Sequence, residues 1–327
     1  MKILVTGGTG FIGKALVKAL VGKDHAVSVL ALEDDPELQR LGIRRTVGDI
    51  ADAKAVTGAV EGHDAVFHTA ARTGTAGRYR DFYEPNVLGT KNVLEACRQC
   101  GVKHLIYTGS PSAVFSGRPI EGLAEDQCTY PSRFLSHYEK TKAIAEQLVA
   151  AAGRNLDACP RTVIVRPHLV YGPGDTNLLP RLEARAAAGR LVQVGDGSNL
   201  VSLTHIDNAV RGHIRALESL ADNAGLSGSV YFITDGPPVN LWDWIRAYLQ
   251  REGLPGPARK MSHRTAYALG GILEAVWKVA GIRRAEPPLT RFVAGQLAMS
   301  HYYAIEKARR ELGYEPAAAG CVAHQLL

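Results

Sequence analysis

The apolar run Ile3-Leu4-Val5 passes directly into Thr6-Gly7-Gly8-Thr9-Gly10-Phe11-Ile12-Gly13, and residues 14–20 continue with helical spacing. A short all-apolar run suits a strand buried on both faces of a parallel sheet. Glycines at 7, 10 and 13 permit a tight turn, close approach of backbone to a phosphate, and close packing of helix on strand. The helix that follows turns free N–H groups and the positive end of its dipole toward any anion held there. A glycine triplet alone is weak evidence. Between a first strand and a first helix, it predicts a dinucleotide site built from Gly7, Gly10, Phe11, Ile12 and Gly13.

The same alternation recurs along the chain. Strands are expected over 26–32, 65–71, 103–108 and 161–165, with a third strand leaving at Thr46-Val47-Gly48-Asp49-Ile50 and a helix over 86–100. Strands alternating with helices predict an α/β fold, a doubly wound parallel sheet. Asp49 and Ile50 then stand beside an adenine, and Thr69-Ala70-Ala71 supply small residues where a cofactor can approach. The end of strand two, Ala31-Leu32, is apolar, and Glu33-Asp34-Asp35 follow. Carboxylates such as Glu33 could accept the ribose hydroxyls and repel a 2′-phosphate, or form a solvated turn.

Chemistry concentrates in His137-Tyr138-Glu139-Lys140-Thr141-Lys142. Residues four apart share a helix face. A tyrosine of pKa about 10 is a poor acid or base at neutral pH, and a neighbouring ammonium favours its phenolate. Thr108-Gly109-Ser110-Pro111-Ser112 falls at a strand's carboxyl end, where open α/β sheets bind ligands, so Ser110 or Ser112 can face Tyr138.

Composition excludes other classes. The net charge is +6, and the densest basic groups are the pairs Arg44-Arg45, Arg283-Arg284 and Arg309-Arg310, with no aromatics interleaved; no nucleic-acid partner is expected. The five cysteines form no disulfide framework, and Cys97-x-x-Cys100 lacks a second ligand pair, so no metal is expected and a reducing cytoplasm fits best. No apolar run reaches the roughly 18 residues of a membrane span. Leu269, Ile272, Leu273, Val276, Trp277 and Ala280 have helical spacing, which suits core or lid packing or, alternatively, peripheral contact with a membrane surface.

These residues resemble the extended short-chain dehydrogenase/reductase family over essentially the whole chain. Thr6 to Gly13 matches its nucleotide loop, Ser110, Tyr138 and Lys142 its catalytic trio, and Arg166-Pro167-His168-Leu169-Val170-Tyr171-Gly172-Pro173-Gly174-Asp175 its Arg-Pro-x-x-Val-Tyr-Gly-Pro-Gly segment. Segments 201–210, 231–236 with Trp242, and 301–303 with 308–314 are most similar to the 3β-hydroxysteroid dehydrogenase branch, including sterol 4α-carboxylate 3-dehydrogenases. Bacterial 2-alkyl-3-oxoalkanoate reductases of olefin synthesis share these features.

The resemblance implies NAD or NADP as cofactor, and contacts from Thr108, Pro167, His168 and Val170; the position after strand two departs from the family's usual determinant, and the acidity of Glu33 and Asp34 leans to NAD. It implies a dinucleotide domain over 1–172, rejoined by 201–234, a substrate cap over 173–327, and a homodimer through helices 86–100 and 138–152. Its action would be on a bulky apolar secondary alcohol or ketone, a 3-hydroxy/3-oxo steroid or a 2-substituted 3-hydroxy/3-oxo acid. Arg72, Arg78 and Arg133 are the candidate carboxylate anchors. The alternatives are a nucleotide-sugar 4-epimerase, which would retain its cofactor, and a non-catalytic dinucleotide sensor. The loop before Tyr138 lacks the Asp-Glu pair of the family's sugar-nucleotide dehydratases, which disfavours elimination.

Overall fold

The computed structural model describes residues 1–155, 160–282 and 285–317; Cys159, Arg283, Arg284 and Cys321 lie outside them. Seven strands form the main sheet: β1 (Lys2–Thr6), β2 (Ala26–Ala31), β3 (Arg44–Val47), β4 (Ala65–His68), β5 (His104–Thr108), β6 (Arg161–Pro167) and β7 (Ser229–Ile233). Their order is β7-β6-β5-β4-β1-β2-β3, and every pairing is parallel. Direction along the sheet reverses between β1 and β4, which opens a crevice beyond their carboxyl ends. The glycine loop leaves β1 there, and Thr69-Ala70-Ala71 leave β4.

Side-chain alternation explains the two layers. In β1, Ile3 and Val5 pack with Leu16, Val17 and Leu20 of helix Phe11–Val21 and with Ile214 and Leu217 of helix Ile206–Asp222. Leu4 points the other way, into Val56 and Val60, Val93 and Cys97, and Val149 of three helices on the opposite face. Both sides of the strand are therefore buried, as its unbroken apolar run requires.

The helix expected over 86–100 begins differently. It follows helix Tyr79–Tyr83 through a π-helical turn, Glu84–Leu88, before regular helix Gly89–Gln99. Pro85 stands at the start of that turn and has no N–H to give an ordinary i→i−4 bond, so a wider turn is accommodated.

Of stretch 201–234, β7 joins the main sheet. Leu200–Val201 instead lies in a four-stranded sheet with Val239–Asn240, His301–Tyr303 and Ile120–Leu123, while Ile206–Asp222 packs as a helix on β5 and β6. A separate core around Trp242, Trp244, Leu249 and Leu182 holds the C-terminal region. Among the described residues no helix is long and apolar enough to cross a membrane.

Candidate active site

The glycine loop has no room for side chains. Gly7 adopts φ 71°, and a Cβ there would sit 2.7 Å from the backbone of Ala70. One on Gly13 would lie 2.2 Å from the Gly7 carbonyl oxygen. Gly10 caps helix Phe11–Val21 without a side-chain bond, leaving the first-turn N–H groups directed outward, and no acid occupies that turn. This bare, positive helix end is the cradle a pyrophosphate needs.

Behind the loop, buried His68 joins its walls. Its Nδ1 meets Thr6 Oγ1 at 2.7 Å and its Nε2 meets Thr90 Oγ1 at 3.0 Å. Thr90 spends its hydroxyl proton on the Asn86 carbonyl (2.7 Å), so His68 Nε2 must donate and Nδ1 must accept. Burial pulls the pKa of His68 down to about 3, with Lys142 adding to the effect, so the ring is neutral. Thr69 Oγ1 donates to the Thr6 carbonyl at 2.7 Å.

Just beyond the end of β2, two of the three acids are committed. Asp34 pairs with Arg45 at 2.6 Å, and Asp35 caps helix Pro36–Arg40 while pairing with Lys14. Glu33 is exposed and has no ion-pair partner among the described residues. Asp49 is also exposed, its carboxylate accepting from Ala51 N at 2.9 Å, and Ile50 is buried against Gly89.

Helix His137–Arg154 carries the candidate pair Tyr138 and Lys142. A capping box fixes its start: Ser136 Oγ accepts from Glu139 N at 3.2 Å, and the Glu139 carboxylate accepts from Ser136 N at 2.6 Å. Burial pushes Glu139 up to about 7. Lys142 donates to the Thr108 carbonyl at 2.6 Å and lies 4.2 Å above the Tyr107 ring. Burial lowers its pKa to about 7, against the pull of Glu146.

The pKa of Tyr138 is raised by burial, opposed by its hydrogen bond with Ser110. This differs from the expectation of a phenol pulled down by Lys142: the ammonium is engaged on Thr108, and burial dominates. Ser110 Oγ lies 2.8 Å from Ser112 Oγ and accepts from Ser112 N at 3.3 Å. Both serines thus belong to one cluster, with Ser110 on Tyr138. The arrangement can offer a protonated phenol and a hydroxyl to one substrate oxygen.

Several supports were not singled out in the sequence. Asn86 accepts from Arg72 N (2.7 Å) and donates to Arg72 O and Thr141 Oγ1 (both 3.0 Å), locking the β4 exit to the catalytic helix. Glu146, one turn beyond Lys142, forms a forked ion pair with Arg166 at the end of β6, and their side chains are 0 % and 3 % exposed. The four-residue spacing from Lys142 to Glu146 was the available signal.

Other sequence candidates fall around this centre. Pro167 ends β6, and Val170 pairs with Thr204 in a short parallel ladder. The His168 ring faces away into the core, bonded to His301 at 2.7 Å, while its backbone N–H donates to Thr204 Oγ1 at 3.0 Å. Arg72 is exposed with its guanidinium 5.2 Å over Phe82, and no carboxylate among the described residues pairs with it. Arg78 donates its backbone N–H to Asp81, and its side chain and that of Arg133 are exposed. A cavity of about 450 Å³ is lined by Tyr171, Pro173, Asp175, Leu179, Glu183 and Tyr248 and includes none of Ser110, Tyr138 and Lys142. Among the described residues, no group of three or more His, Cys, Asp or Glu is placed to hold a metal.

A doubly wound parallel sheet, a glycine cradle at its switch point and a Ser-Tyr-Lys group at the end of β5 define a short-chain dehydrogenase/reductase of the extended kind. Within that class the chain belongs to the 3-beta hydroxysteroid dehydrogenase/isomerase family, whose model matches residues 4–262. It is an oxidoreductase that interconverts a secondary alcohol and a ketone on an apolar substrate with a nicotinamide dinucleotide. The chain is 47 % identical to a 2-alkyl-3-oxoalkanoate reductase of Stenotrophomonas maltophilia, over 97 % of this chain and 95 % of that one. It is 32 % identical to the decarboxylating sterol-4-alpha-carboxylate 3-dehydrogenase of Mus musculus, over 96 % and 86 %. The solved structure of MoeE5 in complex with UDP-glucuronic acid and NAD superposes with a TM-score of 0.74 at 25 % identity, covering 100 % of this chain and 96 % of that one.

Proposed function

We propose that the protein reduces a 2-alkyl-3-oxo acid at C3, and oxidises the corresponding 3-hydroxy acid in reverse. The observation that carries this is the half-buried Tyr138 phenol beside Ser110, its pKa raised by burial with Ser110 opposing, at the crevice beyond the sheet. The 47 % identity to a 2-alkyl-3-oxoalkanoate reductase supports the substrate class. The sterol enzyme's name also specifies a carboxylate beside the carbon oxidised, so both relatives favour a β-hydroxy or β-keto acid.

Gly7, Gly10 and Gly13 would hold the pyrophosphate of NAD or NADP, which when bound supplies the hydride reaching the substrate carbon. Ser110 donates a hydrogen bond to the substrate oxygen, and Tyr138 delivers the proton that completes the alcohol. Lys142 stabilises the phenolate left behind, and Glu146 favours its charged form. Arg72, unclaimed by any described carboxylate, is the favoured anchor for the substrate's acid group, because its fork matches carboxylate geometry. Glu33 and the Asp34–Arg45 pair favour NAD over NADP. Helices Gly89–Gln99 and His137–Arg154 are the proposed dimer face, with exposed Leu88 and half-buried Ile144 and Leu148 as apolar positions. The free thiols of Cys97, Cys100 and Cys128 support a reducing, cytoplasmic setting.

The test is a matched pair: a long-chain 2-alkyl-3-hydroxy acid and its methyl ester, followed by nicotinamide absorbance. Turnover of the acid well above the ester supports the reading. Equal efficiency on both removes the cationic anchor, and activity restricted to a nucleotide sugar overturns the function.

A further inference from the structure

His213, on helix Ile206–Asp222, is fully buried and bonded at both ring nitrogens: Nδ1 to the Ala209 carbonyl at 2.7 Å and Nε2 to Thr108 Oγ1 at 2.8 Å. A carbonyl can only accept, so Nδ1 carries the proton. Burial pulls the pKa of the ring down to about 4, and the neutral ring leaves Nε2 as an acceptor to which Thr108 donates. Such a histidine is ordinarily a satisfied core group and nothing more. What sets this one apart is its partner's other contact: the Thr108 carbonyl accepts the Lys142 ammonium at 2.6 Å.

The two contacts leave Thr108 on opposite faces of the sheet. Along β5, Ile106 packs in the core that holds Ile214 and Leu217 of the histidine's helix. Leu105 and Tyr107 pack in the core that holds Ala145 and Val149 of the catalytic helix. Thr108 is in phase with Ile106, so its hydroxyl reaches the first helix. Lys142 comes from the second, 4.2 Å over the Tyr107 ring. His213 and Lys142 are thus separated by the sheet and joined through Thr108. The next residue is held as closely: Gly109 N donates to the Val165 carbonyl at 2.7 Å, and a Cβ there would lie 2.8 Å from Glu146 Oε2. Ser110 follows directly. A buried hydroxyl deprived of its acceptor turns to whatever partner it can reach. Here that is the backbone of its own strand end, so the carbonyl under Lys142 would shift with it.

We propose that His213 is a positioning residue for the reaction: through the Thr108 hydroxyl it fixes the carbonyl that holds Lys142, and so the placement of that ammonium relative to Tyr138. The inference rests on the proposed role of Lys142 beside the Tyr138 phenolate. It adds a contribution from the face of the sheet opposite the catalytic helix.

A stability cycle and a kinetic cycle test this. In urea unfolding, His213→Leu should cost less in a Lys142→Met background than in wild type, by about threefold or more in the unfolding constant, because the two residues are coupled without touching. Equal losses in the two backgrounds overturn the proposal, whatever the substrate proves to be. In turnover of a 2-alkyl-3-hydroxy acid, measured below the melting temperature, His213→Leu should lower kcat about tenfold or more. Thr108→Val, which removes the hydroxyl and keeps the carbonyl, should lower it as much, and the two together no further. His213→Gln, whose amide oxygen can take the Thr108 proton, should restore most of the rate. The pH–rate profiles of His213→Leu and Thr108→Val should both move toward acid, since Lys142 loses part of what stabilises its charge. A Thr108→Val enzyme of unchanged kcat, a glutamine variant as slow as the leucine one, or multiplying effects in the double overturn the proposal. Absence of any turnover by wild type would remove the proposed function and leave the stability cycle to decide the role of His213.

Discussion

Lys142 donates from its ammonium to the carbonyl oxygen of Thr108 at 2.6 Å, bridging the catalytic helix and the end of β5. Its pKa is lowered from 10.5 to about 7 by burial. Between those values the unfolded chain holds this proton and the folded protein does not, so rising pH stabilises the fold. The contribution is full above the unfolded pKa and is lost as pH falls toward 7. Urea unfolding of wild type and Lys142→Met at a series of pH values checks this. The wild-type stability should gain on the variant by up to about 1.4 kcal/mol per pH unit across that window. Parallel curves would contradict the buried, depressed lysine.

Tyr138→Phe should reduce turnover by about 10²–10⁴-fold while leaving cofactor affinity nearly unchanged, the loss expected for a general acid. Steady-state rates and cofactor fluorescence titration read the two quantities separately. The serines then rank by their contacts. Ser110 hydrogen-bonds Tyr138, whereas Ser112 reaches the site through Ser110 at 2.8 Å. Ser110→Ala should therefore cost about 10²-fold or more, and Ser112→Ala only severalfold. The reverse ranking would move the substrate-facing role to Ser112.

What the sequence made legible is what local spacing determines. Gly7, Gly10 and Gly13 between β1 and its helix, and Tyr138 with Lys142 on one helix face, need no knowledge of the rest of the chain. The strand Ile120–Leu123 was not legible: it is short, contains Gly122 at φ 68°, and exists through its pairing with His301–Tyr303. Nor was the network through His68, whose partners Thr6 and Thr90 lie 62 and 22 residues away. The exposed face of His263–Val279 shows the limit of periodicity, since equal spacing fits an inward or an outward stripe. Small Gly270 against Thr290 and Arg291 decides which side faces the protein.

The Glu146–Arg166 pair sets up a stability prediction with a catalytic corollary. Both side chains are almost fully buried, so removing one strands the other's charge, at about 3–5 kcal/mol. Glu146→Gln and Arg166→Met should each lower stability by about that amount in urea, and Glu146→Leu with Arg166→Met by clearly less than their sum. Glu146 also opposes the depression of Lys142's pKa. Glu146→Gln should therefore lower that pKa further and shift the pH–rate profile toward acid, an effect that a purely structural pair would not produce.

We predict that cofactor choice turns on Asp34, whose carboxylate occupies the Arg45 guanidinium at 2.6 Å beyond the end of β2. A 2′-phosphate needs a free cation, and a ribose 2′-hydroxyl needs an acceptor. With Asp34 on Arg45 and Glu33 exposed alongside, the local charge repels the extra phosphate. Asp34→Ser leaves a small hydroxyl, removes one negative charge and releases Arg45, whose fork suits a phosphate. The wild type should show the lower KM for NAD. Asp34→Ser should raise kcat/KM for NADP by about tenfold, the order of one charge-assisted contact, and change it little for NAD. Asp34→Ser with Arg45→Ala should lose that gain, since the cation responsible is gone. A wild-type preference for NADP, or a gain that survives loss of Arg45, would rule out this pair as the determinant.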